Sequence, residues 1–256
     1  MAGHRGFTLI ETVLVVVIIG LLMTLMMPGL SGVRARGLET KTLSNLRSSG
    51  SLVMLYAGDW RERFPISRSP TLEDREVGCG GVVRRLSGRF YFFNADDWYV
   101  ALCGGYYEPG GTAGLRPAER SLHSPTGVPE AFKMPCAFFA SPEFWDLASR
   151  TGSGQFRGTA VPEVAYPGGK MMLVSVYWLR EGLSTPRPRW GRDWGSWSRT
   201  PGVMVDLSVR TPELSDFREP VRSGEGLYPG WVHQQDLGEY PGYHTEWGVR
   251  GVDLDY

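Results

Sequence analysis

The residues with the clearest chemical role lie near the amino terminus, where Glu11 is the only charged side chain between Phe7 and Met27. An acidic side chain at mid-bilayer costs roughly 2.5–3.5 kcal/mol, so a chain that keeps one in an apolar run usually supplies a partner for it. The nearest candidate cation is a new amino terminus, which cleavage after Gly6 would create on Phe7. Such a terminus would place an ammonium four residues before the Glu11 carboxylate, where the two could pair.

The stretch Gly6-Phe7-Thr8-Leu9-Ile10-Glu11 and the apolar run after it resemble the processing motif of type IV prepilins and type II secretion pseudopilins. The resemblance implies that prepilin peptidase removes a leader, residues 1–6, between Gly6 and Phe7. It also implies N-methylation of Phe7, and pairing of Glu11 with the terminal ammonium of a neighbouring subunit. Pro28 lies where many pilins have a helix-kinking proline. The implied partners are prepilin peptidase, other pilin or pseudopilin subunits, an inner-membrane assembly platform and membrane lipid.

Two other interpretations of this segment remain open. A secretory signal peptide has a basic start, an apolar core of about 7–15 residues and small residues at its cleavage site. Gly29-Leu30-Ser31 could form such a site, although Glu11 and the length of the apolar run argue against it. A plain membrane anchor is the second alternative, because the 21 residues from Phe7 to Met27 would span roughly 30 Å as a helix, enough for a bilayer.

Composition favours a loop-rich globular domain that contains β-structure. The chain of 256 residues has a formal net charge of zero and no long run of like charges, so nothing indicates nucleic-acid binding. Its 34 glycines and 18 prolines make up about a fifth of the chain, against a usual share of about 12%. Lysine is scarce, because only Lys41, Lys133 and Lys170 occur and arginine carries most of the positive charge.

Three cysteines, Cys79, Cys103 and Cys136, offer one disulfide. An exported domain would lie in an oxidising compartment, where such a bond is expected. Three cysteines allow three different single pairings, and the sequence does not choose among them. The alternative is that all three are buried, reduced side chains. A zinc site is not expected, since no CxxC motif or well-spaced histidine accompanies them.

The rest of the chain shows no catalytic pattern. The histidines beyond the leader lack HExxH spacing, and no GxSxG motif occurs, so we expect no enzymatic activity, no metal site and no cofactor. Calcium is the one exception to consider, because some pseudopilins bind it in a loop of the head and it takes six to eight oxygen ligands. A solvated turn is the simpler interpretation of the same carboxylates. The carboxylates are Asp96, Asp97, Asp253 and Asp255, and the histidines are His123, His233 and His244.

A tryptophan-rich segment suggests a different function. Trp190, Trp194 and Trp197 lie among several arginines, and indole rings can stack with guanidinium groups. Such a segment could form an exposed platform for sugars or polymers, which would make the protein a membrane-anchored, adhesin-like binding protein. The alternative is that the three rings pack over the sheet as part of the fold.

A long helix must position the amino-terminal residues. The pattern predicts a helix from Phe7 to about Tyr56, with a kink or weak point at Pro28, because proline removes a backbone donor and clashes with the preceding turn. Residues 7–28 would form a transmembrane or filament-core segment, and residues 29–60 an amphipathic half that lies on the head. We expect Asp59 to end the helix.

The head, residues 61–256, is predicted to consist of short strands and loops. Strand candidates are Met171–Leu179, Gly202–Leu207 and the aromatic segments Gly88–Phe93 and Trp98–Leu102. The predicted fold class is α+β and pilin-like, with the long helix packed on an antiparallel β-sheet head. The resemblance implies a single-pass inner-membrane protein with its head outside the cytoplasm, which later joins an extracytoplasmic type IV pilus or type II secretion filament.

Overall fold

The computed structural model describes residues 8–79, 82–107, 132–146, 148–175, 178–180, 183–185, 201–213, 216–217 and 247–254. Within these ranges the helices are α1 (Leu9–Asp59) and α2 (Asn94–Asp97). The strands are β1 (Arg75–Cys79), β2 (Val82–Leu86), β3 (Met171–Val174), β4 (Trp178–Arg180), β5 (Leu183–Thr185), β6 (Gly202–Met204) and β7 (Val209–Arg210). Short 3₁₀ helices and loops connect these elements.

Helix α1 is continuous over 51 residues. Its sequence is rich in leucine, methionine and other residues that lose little side-chain freedom in a helix. The helix passes through Pro28 without interruption, and the kink expected there stays a prediction. Within the part of the chain that the structure describes, no helix has the length and apolar content required to cross a membrane.

Helix α1 ends at Asp59, as the sequence predicts. The N–H of Trp60 donates to the carbonyl oxygen of Tyr56 at 3.0 Å and closes the last turn. Arg61 and Glu62 then adopt positive φ angles of 55° and 59°. Two consecutive residues in the left-handed region turn the chain away from the helix axis and into the head.

The described strands form three small antiparallel sheets, so the single sheet expected from the sequence is divided, while its antiparallel character and the α+β class are confirmed. The central sheet has the order β3-β6-β7, with Met171 opposite Met204 and Val203 opposite Val209. The pairs β1–β2 and β4–β5 form separate two-stranded sheets.

Several strand predictions need correction. The candidate Met171–Leu179 is shorter than predicted, because β3 stops at Val174 and β4 belongs to another sheet. Strand β6 likewise covers only the first half of Gly202–Leu207. The aromatic segments Gly88–Phe93 and Trp98–Leu102 form 3₁₀ helices instead of strands. A strand would send successive side chains to opposite faces, whereas neighbouring rings in these segments are buried together in one core.

The main core lies between the second half of α1 and the central sheet. Leu46 and Val53 of α1 are fully buried there. Gly50 lies between them, and a Cβ at this position would be 3.1 Å from Met172 Cε and 3.1 Å from a methyl group of Val203. Because glycine has no side chain, it permits this close approach of helix and sheet.

The other face of the central sheet carries a second, smaller core. It is formed by residues of β3 and β6 together with two segments near the carboxy terminus. The backbones of Phe217 and Leu254 form an isolated antiparallel bridge beside it. Both faces of the sheet are therefore covered. The members of this cluster are Met171, Val174, Met204, Phe217 and Leu254.

Candidate processing and assembly site

The amino-terminal site centres on Glu11 in the first turn of α1. The backbone N–H and the hydroxyl of Thr8 donate to Glu11 Oε2 at 2.8 and 2.7 Å. In return, the N–H of Glu11 donates to Thr8 Oγ1 at 3.3 Å. These reciprocal bonds form a capping box, which satisfies backbone donors that have no partner inside the helix. The carboxylate also lies at the end of the helix where the macrodipole favours negative charge.

The residues predicted for cleavage and methylation, Gly6 and Phe7, lie outside the described residues. In sequence, Phe7 directly precedes Thr8, the residue that binds the Glu11 carboxylate. Both hydrogen bonds from Thr8 use Oε2, so a cation can approach the second oxygen of the carboxylate, Oε1. The roles of Gly6, Phe7 and Glu11 in processing and assembly stay predictions.

Beyond Glu11, α1 presents a long apolar surface that the described head does not cover. Leu9 and Ile10 are 82% and 80% exposed, and the side chains after them remain exposed as far as Thr24. Monomeric soluble proteins rarely expose contiguous apolar patches larger than a few hundred Å². This segment therefore requires an apolar environment from outside the described chain. The other exposed members are Val13, Leu14, Val15, Val16, Val17, Ile18, Ile19, Leu21, Leu22 and Met23.

The second half of α1 has the opposite character and is built into the head. Among the side chains of this half that the structure describes, the first buried one is Thr42, and buried positions then recur one, three or four residues apart. This spacing places them on one face of the helix, so residues 42–57 are amphipathic, while the bounds predicted for this half, residues 29–60, stay a prediction. The same helix thus joins an exposed apolar segment to the hydrophobic core. The buried positions are Thr42, Leu46, Ser49, Gly50, Val53, Tyr56 and Ala57.

An aromatic cluster fixes the end of α1 to the head. The rings of Tyr56 and Trp60 stack with their centroids 5.5 Å apart. Trp60 Nε1 donates to the Tyr106 hydroxyl at 3.1 Å, and that hydroxyl donates to Asp59 Oδ2 at 2.9 Å. Burial is the main cause that raises the pKa of Tyr56, so its hydroxyl stays protonated at neutral pH. Stacking and directed hydrogen bonds together define the orientation of the head relative to the helix.

A buried asparagine organises the chain that follows α1. Asn94 Oδ1 accepts the backbone N–H groups of Ser67 and Arg68 at 2.7 and 2.8 Å. Asn94 Nδ2 donates to the carbonyl oxygen of Tyr91 at 2.8 Å. Arg68 Nη2 also binds Asp97 Oδ2 at 2.5 Å. Every one of these groups is buried or half-buried, so the network holds the segment after α1 against α2.

The carboxylates considered for calcium contact arginine or lysine side chains where the structure describes them. Asp97 pairs with Arg68, Asp96 with Lys133, and Asp253 with Lys170. Asp255 lies outside the described residues. Among the described residues, no group of three or more His, Cys, Asp or Glu side chains could hold a metal ion. Calcium binding stays a prediction.

The remaining predicted residues divide between described and undescribed parts of the chain. Cys103 is disulfide-bonded. Cys136 is a buried thiol outside any disulfide, with its Sγ 4.0 Å from the carbonyl oxygen of Phe92. The tryptophans proposed for surface binding, Trp190, Trp194 and Trp197, and the histidines His123, His233 and His244 lie outside the described residues.

Comparison with known proteins places the amino-terminal features in a family. Residues 1–27 match the family described as prokaryotic N-terminal methylation motif. The type II secretion system core protein G of Klebsiella pneumoniae is 32% identical over 96 residues, a region that covers 34% of this chain and 68% of that protein. This chain belongs to the type II secretion pseudopilin family.

Two further proteins with the same name support the pseudopilin assignment. The one from Pectobacterium carotovorum subsp. carotovorum is 34% identical over 93 residues, which cover 32% of this chain and 59% of that protein. The one from Dickeya chrysanthemi is 35% identical over 93 residues, which cover 32% of this chain and 60% of that protein. This pseudopilin therefore spans about three-fifths of the length of these two relatives. No solved structure matches the chain.

The pair Lys170–Asp253 was not predicted from the sequence. Both side chains are 0% exposed, and Lys170 Nζ donates to Asp253 Oδ1 at 2.9 Å. The two residues are 83 positions apart, so no local motif indicates their contact. The one available signal is the scarcity of lysine. In a chain that mostly uses arginine, a lysine can mark a position where arginine could not replace it.

Proposed function

We propose that this pseudopilin is a subunit of a type II secretion filament, held in the inner membrane before assembly by residues 7–28. The observation that carries the proposal is the division of α1 into two parts. Its first part carries Glu11 and an exposed apolar surface, and its second part is built into the head. The relatives named as type II secretion system core proteins favour secretion over a type IV pilus.

Leader removal is the first step of the proposed function. Prepilin peptidase cleaves between Gly6 and Phe7, and Phe7 is then N-methylated. Cleavage leaves an ammonium one residue before Thr8, at the start of α1. Because the exposed segment after it is apolar, the bilayer is the environment that stores it, and its helical backbone satisfies its own hydrogen bonds there.

Charge pairing then guides assembly. Glu11 of one subunit neutralises the Phe7 ammonium of the next, while the apolar helices pack together and the heads face outward. Two unit charges 4 Å apart interact by only about 1 kcal/mol in water, but by about 4 kcal/mol at an effective dielectric constant of 20. The contact therefore stabilises assembly most where the packed helices exclude water.

The proposed partners follow from these steps. They are prepilin peptidase, other pilin or pseudopilin subunits, an inner-membrane assembly platform and membrane lipid. The head lies outside the cytoplasm and reaches an extracytoplasmic filament after assembly. The function is assembly and not catalysis.

The decisive experiment determines the amino-terminal residue, and its mass, in protein recovered from native membranes. N-methylated Phe7 is the expected result. A terminus at Met1 would identify a plain anchor, and one near Gly32 a secreted domain; either result contradicts the proposal.

A mutational test addresses the cleavage site itself. Gly6→Glu should block leader removal, and the milder Gly6→Ala should slow it, so the two variants should reduce the rate of cleavage to different extents. A mature Phe7 terminus in Gly6→Glu would refute the assigned cleavage site.

A further inference from the structure

Both lysines of the head contact aspartates near the two ends of β3. Lys170 directly precedes this strand, and the backbone of Lys133 pairs with Val174 at its other end. Lys170 Nζ lies 2.9 Å from Asp253 Oδ1, and Lys133 Nζ contacts Asp96 Oδ1. The chain has only three lysines among its 27 basic residues. An amine differs from a guanidinium in that it can lose its proton and become a nucleophile.

The Lys170–Asp253 pair lies in a dry environment, since both side chains are 0% exposed. Desolvation is the largest influence on each group, and it lowers the pKa of Lys170 and raises the pKa of Asp253. Both shifts favour an uncharged amine beside an uncharged carboxylic acid. This is the expected response of a buried ion pair, because separating two charges from water costs several kcal/mol per ion.

Asp253 is fixed by three contacts, two to its carboxyl group and one from its backbone. Its Oδ1 accepts from Lys170 Nζ, and its Oδ2 accepts the backbone N–H of Met171 at 2.8 Å. The backbone N–H of Asp253 donates to the carbonyl oxygen of Gly169 at 3.0 Å. The amine and the carboxyl carbon are therefore held next to each other by groups on both chain segments. Fixed proximity of this kind can give effective concentrations of about 10⁵–10⁸ M.

We propose that Lys170 and Asp253 form a self-modification site, at which their side chains condense to an isopeptide bond. Lys170 Nζ attacks Asp253 Cγ, and the negative charge that develops on Oδ2 is stabilised by the N–H of Met171. A proton of the attacking nitrogen passes to the leaving hydroxyl at Oδ1, the Cγ–Oδ1 bond breaks, and one water molecule leaves. An amine and a carboxylic acid give an amide and water, so no oxidant, cofactor or activated donor is required.

The product would replace a buried polar pair with one neutral amide. It would also tie the carboxy-terminal segment covalently to the residue before β3, the strand that lies between the two cores. This inference does not depend on the proposed role in a filament, and the two can fail separately.

Peptide mapping of the full chain tests the proposal. Protein from native membranes is reduced, alkylated and digested with trypsin. The expected product joins Gly158–Arg180, uncut after Lys170, to the terminal peptide Gly251–Tyr256, with a mass one water molecule below their sum. Recovery of Gly158–Lys170 and Gly251–Tyr256 as separate peptides, with no linked product, overturns the proposal.

The chain supplies its own matched control. The side chains of Lys133 and Asp96 are 14% and 22% exposed, so this pair keeps contact with water and should stay unlinked. Cleavage after Lys133 in the same digest is therefore expected, and a linked Lys133 would contradict the role assigned to burial. Lys170→Arg replaces the amine with a guanidinium, which does not lose its proton to become a nucleophile, so this variant should release Gly251–Tyr256 unmodified. If that variant fails to fold, the map of the natural chain still decides.

Discussion

Glu11 has two separable roles at the scale of the residue. Its carboxylate completes the capping box with Thr8, and it supplies the negative charge proposed for pairing between subunits. Glutamine can serve the first role, because it occurs in capping boxes, but not the second. Substitution at this position can therefore distinguish a defect in helix formation from a defect in assembly.

We expect Glu11→Gln to leave membrane insertion and helix content unchanged and to reduce incorporation into filaments by more than about tenfold. A loss of about 1.4 kcal/mol already corresponds to a factor of ten, and the charge pairing is strongest where the helices exclude water. The measurement is the amount of subunit in sheared filaments from cells that express the secretion system, relative to the amount in membranes.

The matched control for this prediction is Thr8→Ala, which removes the hydroxyl of the cap and retains the charge. It should weaken the start of α1 by about 0.5–2 kcal/mol and leave incorporation close to normal. Normal incorporation of Glu11→Gln would refute the proposed charge pairing. Equal defects in both variants would show that the cap, and not the charge, is what assembly requires.

At the scale of the element, the contact between α1 and the central sheet depends on Gly50. A Cβ at this position would already lie 3.1 Å from Met172 and Val203, so a larger side chain must push the helix away from the sheet. We expect Gly50→Leu to lower the free energy of unfolding by at least about 1–3 kcal/mol, the usual cost of overpacking a core. Urea denaturation of the full chain in detergent measures this change.

Gly37 is the control within the same helix. A Cβ at Gly37 would meet nothing within 4 Å, so Gly37→Ala adds helix propensity without a clash. That substitution should raise helix stability by about 0.5–1 kcal/mol. If Gly50→Leu were as stable as Gly37→Ala, that result would contradict the close packing of α1 on Met172 and Val203 described above.

The elements also show which parts of the fold the sequence could predict. Helix α1 was predictable because its signals are local: an uninterrupted apolar run, a repeat of buried positions and an end at Asp59. The segment around Tyr91 and Phe92 was predicted as a strand, although it forms a 3₁₀ helix. Its aromatic residues are typical of strands, but contacts distant in sequence, such as the stacking of Tyr91 on Phe156, determine the backbone there.

Of the polar sites described above, the sequence could predict only those formed by residues that are close together in the chain. The motif from Gly6 to Glu11 is contiguous, so the sequence alone identified it. The Asn94 network and the Lys170–Asp253 pair join segments 26 or more positions apart, and no spacing rule connects them. Long-range polar contacts of this kind depend on the tertiary fold and cannot be derived from local periodicity.

At the scale of the whole molecule, the disulfide of Cys103 is the covalent cross-link of the head whose partner the cysteine count points to. Cys103 is disulfide-bonded, Cys136 is a buried thiol outside any disulfide, and the sequence contains three cysteines. We infer that Cys79 is the partner in an intrachain bond. Non-reducing peptide mapping should recover a linked Cys79–Cys103 peptide, with Cys136 alkylated only after unfolding. Alkylation of Cys79 in the native, unreduced protein would contradict this pairing.

The stability of the whole head should fall in acid. Hydrogen bonds from Arg157 at 2.7 and 2.5 Å lower the pKa of Glu163 below its ordinary value of 4.5. The unfolded chain therefore binds this proton more readily than the folded chain. The stabilisation is complete above about pH 4.5 and is lost as the pH falls through the lowered pKa of the folded state.

We expect Glu163→Gln to make the unfolding free energy depend less steeply on pH below about 4.5. The control is Glu76→Gln on the exposed strand β1, which should keep the pH dependence of the natural protein. Urea titrations at a series of pH values provide the measurement. An unchanged slope in Glu163→Gln would show that the Arg157–Glu163 pair does not contribute to acid sensitivity.

Because α1 is continuous, the number of residues between two of its positions fixes the distance between them. Its 51 residues extend over about 77 Å at about 1.5 Å per residue. The eighteen residues between Met23, which is exposed, and Thr42, which is buried in the head, account for about 27 Å of that length. For a subunit anchored as proposed, the number of residues in this spacer sets how high the head stands above the membrane and, through the helical repeat, which way it faces.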